Sequence, residues 1–161
     1  MNECKLSENN WTKVAVFAGG DRGHYRTNFD CFVGVDRGSL WVLEEDLSLA
    51  LAVGDFDSVT ADERQLIQKR AQRFIQAQPE KDDTDLELAL LTIFEQNPHA
   101  QVTIFGALGG RIDHMLANVF LPSNPKLAPY MRQIAIEDGQ NVIGYCPEGT
   151  SQLQPRSDYD Y

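Results

Sequence analysis

Two acidic runs carry the residues whose type and spacing point to chemistry: Gly54-Asp55-Phe56-Asp57-Ser58 and Lys81-Asp82-Asp83-Thr84-Asp85. In an extended segment residues two apart face the same side, so Asp55 and Asp57 would present both carboxylates together. Asp82 and Asp85, three apart at a helix start, can share a face. Any single aspartate here has a structural explanation, since Asp caps helices and favours turns. The ensemble is harder to dismiss. Two like charges ~4 Å apart repel by about 4 kcal/mol at an effective dielectric of about 20. Converging carboxylates therefore need a cation or must titrate. A hard divalent ion fits oxygen ligands, and magnesium commonly bridges carboxylates to phosphates. Lys81 could meet phosphate oxygens, although a solvated lysine would look the same. Phe56 reads as core packing, and Thr84, Leu86 and Glu87 are explained by helix-start chemistry alone.

Glycine-bearing segments accompany the acids. Gly19-Gly20-Asp21 and Asp36-Arg37-Gly38 each follow an apolar run, and glycine lets backbone N–H groups approach phosphate oxygens. Gly106-Ala107-Leu108-Gly109-Gly110-Arg111-Ile112-Asp113-His114 lies between an expected strand and an expected helix, where amides and the helix dipole favour anions. Arg111 could clamp a phosphate with its forked donors. His114 reads as a packing or hydrogen-bonding residue at a helix start rather than a base. The three histidines are too scattered for a zinc site.

The elements that must position these residues alternate in period. Short apolar runs at 14–18, 31–35, 49–53, 73–77 and 102–105 predict strands, and their near-continuous apolarity suits a parallel sheet covered on both faces. Thr60-Ala61-Asp62-Glu63 reads as a capping box opening a helix towards Ala71. Leu86, Ala89, Leu90, Ile93 and Phe94 predict an amphipathic helix over about 84–96, stopped by Pro98, and 114–120 a further one. The expected fold is an α/β, Rossmann-like, doubly wound and mostly parallel sheet, which places ligands beyond the carboxyl ends of the strands. Pro122, Pro125 and Pro129 predict a linker over 123–131. Two strands around the turn Asp138-Gly139 then predict the beginning of a small all-β domain over 132–161, since a lone hairpin is marginal by itself. The α/β domain accordingly spans 1–122.

Bulk properties narrow the class. With 161 residues, 42% hydrophobic and 24% charged, the chain has the composition of a soluble globular protein. No apolar run approaches the length of a membrane span, and Met1–Trp11 is polar, unlike a signal peptide. Three cysteines without close spacing predict reduced thiols and a cytoplasmic location. Lys and Arg total 14 against 24 Asp and Glu, a net charge of −10. That balance, with no basic run, argues against nucleic acid or a membrane surface as partner.

Taken in order, Asp36-Arg37-Gly38, Gly54-Asp55-Phe56-Asp57-Ser58, Lys81-Asp82-Asp83-Thr84-Asp85 and Gly109-Gly110-Arg111-Ile112-Asp113-His114 resemble the thiamin pyrophosphokinase family. The resemblance covers most of the first 120 residues and implies Mg2+-dependent transfer of diphosphate from ATP to the hydroxyl of thiamin, giving thiamin diphosphate and AMP. It implies that Asp36, Asp55, Asp57 and Asp85 are metal carboxylates, with Asp55, Asp57 and Asp85 catalytic. It implies that Gly20, Asp36, Lys81, Thr84 and Arg111 bind ATP, and that Asp113 lies near the aminopyrimidine of thiamin. It also implies a homodimer in which the small β domain helps form the acceptor site. Arg37 stands where the family more often has glycine. The family's second domain runs on beyond Tyr161, so the expectation is an incomplete acceptor half with impaired turnover. A catalytically silent nucleotide-binding module and a Mg2+-dependent phosphohydrolase are the competing expectations.

Overall fold

The computed structural model describes residues 11–78 and 83–153. Strand β1 (Lys13–Phe17) is followed by β2 (Cys31–Val35), helix α1 (Gly38–Glu44), β3 (Leu49–Gly54), α2 (Ala61–Arg70) and β4 (Arg73–Gln76). The chain continues through α3 (Asp85–Gln96), β5 (Gln101–Phe105), α4 (Ile112–Phe120), β6 (Ile134–Glu137) and β7 (Val142–Gly144). The strands form one seven-stranded sheet in the order β4-β3-β2-β1-β5-β6-β7. Every pairing is parallel except β6 with β7. The expected α/β, mostly parallel architecture is what the chain adopts.

Apolar burial on both faces drives it. β2 and β3 are buried along their whole length, as central parallel strands must be. One face packs Leu86, Ala89, Leu90, Ile93 and Phe94 of α3 against Val16, Val33, Leu51 and Ile104. The opposite face packs Leu40, Trp41 and Val42 of α1 and Ile67 of α2 against Phe17, Phe32, Leu49 and Phe105. The capping box expected at Thr60 is present, with Glu63 N donating to Thr60 Oγ1 at 3.2 Å and Thr60 N donating to Glu63 Oε2 at 2.7 Å.

Three features differ from a sequence reading. Helix α1 was not expected, because seven residues, GSLWVLE, are too short and too uniformly apolar to show a period. Its start also demands Gly38: a Cβ there would lie 1.9 Å from the carbonyl oxygen of Phe17. The proline-rich stretch is not featureless, since Leu121–Ser123 and Ala128–Gln133 are short 3-10 helices with proline in their first turns. The hairpin after it forms around the Asp138–Asn141 turn, and β6 runs parallel beside β5, so both hairpin strands extend the one sheet.

Candidate active site

Strand order reverses between β1 and β5: the chain winds outwards through β2, β3 and β4, then returns to the other side of β1. The carboxyl ends of strands at such a reversal are where open α/β sheets bind ligands. Here the two loops meet directly, Gly20 N donating to Gly106 O at 3.1 Å. A cleft of about 460 Å³ opens there, bounded by Gly19–Asp21, Asp36, Asp57, the start of α3 and the 106–118 segment.

Three carboxylates converge at this end of the sheet. One oxygen each from Asp36, Asp55 and Asp85 lies within 4.8 Å of the others, the only such acidic group of three among the described residues. Asp36 directly follows β2, Asp55 directly follows β3, and Asp85 opens α3, so adjacent strand ends and a helix start build the group from separated sequence. Thr84 caps that helix, its hydroxyl accepting from Glu87 N at 3.1 Å. The backbone is strained where it turns: Asp36 has φ 48° and Phe56 has φ 59°, conformations that cost L-residues on the order of 1–3 kcal/mol each. Phe56 is held in place by burial and by stacking on Phe74, with ring centroids 4.7 Å apart. Gly54 is required for close approach, since a Cβ there would fall 1.9 Å from Asp36 Oδ1.

The electrostatics match a site built for a cation. Burial, together with the neighbouring charges of Asp85 and Asp55, pushes the Asp36 carboxyl up to about 7, even though the amide of Phe56 donates to it at 3.1 Å. Asp57 is also raised, by the charge of Asp55, although it is exposed. A divalent cation would relieve this repulsion, and three convergent oxygen donors suit magnesium or calcium rather than a soft metal.

The sequence-derived residues divide accordingly. Asp36, Asp55 and Asp85 are brought together. Asp57 borders the cleft but lies outside the group of three. The left-handed turn at Phe56 removes the extended geometry that would have paired it with Asp55, and Asp57 N instead donates to Asp55 Oδ1 at 3.0 Å. Gly20, Thr84 and Arg111 line the cleft. Arg111 and Asp113, both exposed, form a two-pronged pair, Nε to Oδ1 at 3.1 Å and a terminal nitrogen to Oδ2 at 2.6 Å. That pairing holds the Asp113 carboxyl below its ordinary range. Lys81 and Asp82 lie outside the described residues.

Some cleft residues had no clear sequence signal. Asn118, on α4, donates to Ala107 O at 3.0 Å and ties the glycine-rich loop to the helix. A poor helix former inside a helical pattern was its one available clue. Asp21 and His114, from the two glycine-bearing segments singled out in the sequence, also line the cleft. A larger cavity of about 740 Å³ lies along β5–β7, but no carboxylate lines it and it is remote from the triad.

Comparison with known proteins identifies the family. The family described as "Thiamin pyrophosphokinase, catalytic domain" matches residues 23–131. The thiamine pyrophosphokinase of Bacillus subtilis (strain 168) is 36% identical over 147 residues, which is 88% of this chain and 67% of that protein. The crystal structure of a thiamin pyrophosphokinase family protein from Enterococcus faecalis superposes with a TM-score of 0.81 at 46% identity, covering 86% of this chain and 67% of that one. Thiamin pyrophosphokinase from Geobacillus thermodenitrificans gives 0.64 at 37% identity, covering 81% and 61%. The chain thus spans about two thirds of the length of these relatives.

Proposed function

The chain belongs to the thiamin pyrophosphokinase family, and from that membership and the cleft we propose that it transfers diphosphate from ATP to the hydroxyl of thiamin in a Mg2+-dependent reaction. The observation that carries the proposal is the Asp36–Asp55–Asp85 triad beside a glycine-rich loop at the strand-order reversal.

In this reading the thiamin hydroxyl oxygen bonds to the β-phosphorus of ATP. The bond from that phosphorus to the oxygen bridging the α-phosphate breaks, AMP leaves with that oxygen, and the hydroxyl proton is given up to water. Because the acceptor and donor must be held in line, positioning and charge neutralisation carry the rate. Bound magnesium would supply positive charge to the phosphate oxygens and so stabilise the charge that builds there. Asp36, Asp55 and Asp85 would hold it, with Asp57 at the outer edge of the same group. Gly20 and the amides of the 106–110 loop face the phosphates, and Thr84 orients Asp85 by capping α3. Lys81 is assigned to the phosphates on its place in the sequence motif.

Arg111 and Asp113 act as an exchangeable pair in this scheme. Phosphate draws the Arg111 guanidinium away, and Asp113 is released for the aminopyrimidine of thiamin. The protein is taken to work as a homodimer in the cytoplasm, which the mass from light scattering and cell fractionation would test.

The deciding assay follows AMP from Mg2+ and ATP with and without thiamin. Thiamin-dependent AMP supports the diphosphotransferase. AMP or phosphate released without thiamin would indicate a hydrolase, and ATP binding with no product would indicate a silent nucleotide-binding module.

A further inference from the structure

The start of α3 meets the segment after α4 in a polar knot of Asp83, Glu87, Asn124 and Lys126. None of the four lines the carboxylate cleft. Asn124 Nδ2 donates to Glu87 Oε1 at 2.8 Å, and Lys126 Nζ lies 2.5 Å from Asp83 Oδ1 and 3.9 Å from Glu87 Oε1. Helix-start chemistry accounts for a glutamate at this position, but not for one that is 4% exposed and bonded to a distant part of the chain. We infer that Glu87 is a positioning residue: held by Asn124, it fixes the first turn of α3, and with it Asp85, against the strand ends that carry Asp36 and Asp55. The inference rests on the metal site of the diphosphotransferase reading above.

The three carboxylates of that site are held in different ways. Asp36 and Asp55 directly follow β2 and β3, each paired with a strand on either side. Asp85 opens a helix that meets the sheet through Leu86, Ala89, Leu90, Ile93 and Phe94. Apolar contacts of this kind are non-directional, whereas a hydrogen bond weakens steeply when misaligned. A polar bond in the first turn therefore sets the rotation and advance of the helix more sharply than its apolar face does. Thr84 caps α3 from within, and Glu87 ties it to another element.

The other end of the bond is anchored. Leu121 and Leu127, on either side of Asn124, are buried in the same core as Leu86 and Leu90. Asn124 Oδ1 accepts from Lys126 N at 3.0 Å, which leaves the amide nitrogen to face Glu87 as a donor. The segment continues directly from α4, whose Asn118 holds the glycine-rich loop. The knot thus joins the two walls of the cleft. Burial makes the bond consequential, because a buried acceptor that loses its partner keeps its desolvation cost.

The test exchanges donor and acceptor. Asn124→Asp keeps the acceptor for Lys126 N but sets a second carboxylate against Glu87. Adding Glu87→Gln supplies a carboxamide donor and restores the bond in the opposite sense. Asn124→Ser withdraws the donor without adding charge. Asp30→Asn, at the opposite end of the sheet, is the control for lost stability alone. Calorimetry on the metal-stripped full chain gives magnesium affinity, and urea unfolding gives stability. AMP formation with ATP and thiamin gives the half-maximal magnesium concentration and the rate at saturation. Asn124→Asp should weaken magnesium binding roughly tenfold, as loss of outer-shell contacts does at metal sites. The half-maximal magnesium concentration should rise by the same factor, with the rate at saturating magnesium little changed. Asn124→Ser should act in the same direction, and the double variant should recover most of the affinity. Unchanged magnesium affinity in either folded single variant overturns the inference, as does a double variant no better than Asn124→Asp. Equal weakening in Asp30→Asn also overturns it, since affinity would then follow stability. The expected affinities in a chain that forms no thiamin-dependent AMP would uphold the positioning role and sink the diphosphotransferase reading alone. A wild-type chain that binds no magnesium overturns both.

Discussion

At the scale of single residues, the site brings three carboxylates together, and Asp36 is pushed up to about 7, mainly by burial and further by the charges of Asp85 and Asp55. Magnesium should therefore stabilise the folded protein, raising its melting temperature in a scan, and Asp36→Asn should abolish that rise. A variant that keeps the full magnesium-dependent shift would remove Asp36 from the ligand set. Asp55→Asn should lower thiamin-dependent AMP formation by about a hundredfold or more, since it weakens an electrostatic term worth several kcal/mol, while circular dichroism stays native. Full activity in that variant would refute the assignment. The sequence led to Asp36, Asp55 and Asp85 because each follows a strand end or opens a helix, positions a pattern reading can find. The place of Asp57, beside the cleft but outside the group of three, was not legible, because nothing in the run Gly54-Asp55-Phe56-Asp57-Ser58 announces a phenylalanine at positive φ. Phe56 sits buried at that turn, stacked on Phe74, a residue 18 positions away.

At the scale of elements, caps and anchors decide where the site residues stand. Thr84→Ala should cost α3 about 1 kcal/mol through loss of its N-cap and should also weaken magnesium binding, because Asp85 is the first residue of that helix. Urea unfolding and magnesium titration separate the two effects, and a stability loss with no change in magnesium affinity would make Thr84 purely structural. Strand β1 is anchored differently: Asp30 accepts from Thr12 N at 3.0 Å and Lys13 N at 2.8 Å, which holds its carboxyl below the usual range. A carboxyl lowered on folding contributes stability present above its unfolded pKa of about 3.8, and that stability is lost as pH falls through the folded value. Asp30→Asn should thus destabilise the protein at neutral pH and flatten the acid limb of its stability curve, and an unaltered acid limb would contradict this. Strands and the longer helices were legible because apolar runs and helical spacing are local properties. The placement of β6 was not, since its partner β5 lies some thirty residues earlier and a hairpin pattern looks the same in either sheet.

At the scale of the whole molecule, the sheet order makes the site, and the Arg26–Glu137 ion pair ties the loop between β1 and β2 to β6. β1 is the hub, flanked by β2 on one side and β5 on the other, so the loops leaving it reach both the acidic half and the glycine-rich half of the cleft. The loop from β1 to β2 has no regular structure, yet it is pinned along its length. Tyr25 meets Phe17 edge-on, Phe29 meets Phe105 edge-on, and Arg26 reaches Glu137 on β6. Glu137 is 1% exposed in its side chain while Arg26 keeps 31%, so the carboxylate bears most of the desolvation. Removing Arg26 alone leaves that carboxylate buried without its guanidinium, a change that costs about 3–5 kcal/mol in comparable pairs. Replacing both partners by apolar residues need not cost as much, because the uncompensated charge disappears as well. Arg26→Met should accordingly lower the urea midpoint strongly, and the double variant Arg26→Met/Glu137→Leu should recover much of the loss. If the double variant were as unstable as the single one, the pair would matter for its shape and hydrogen bonds rather than its charge balance.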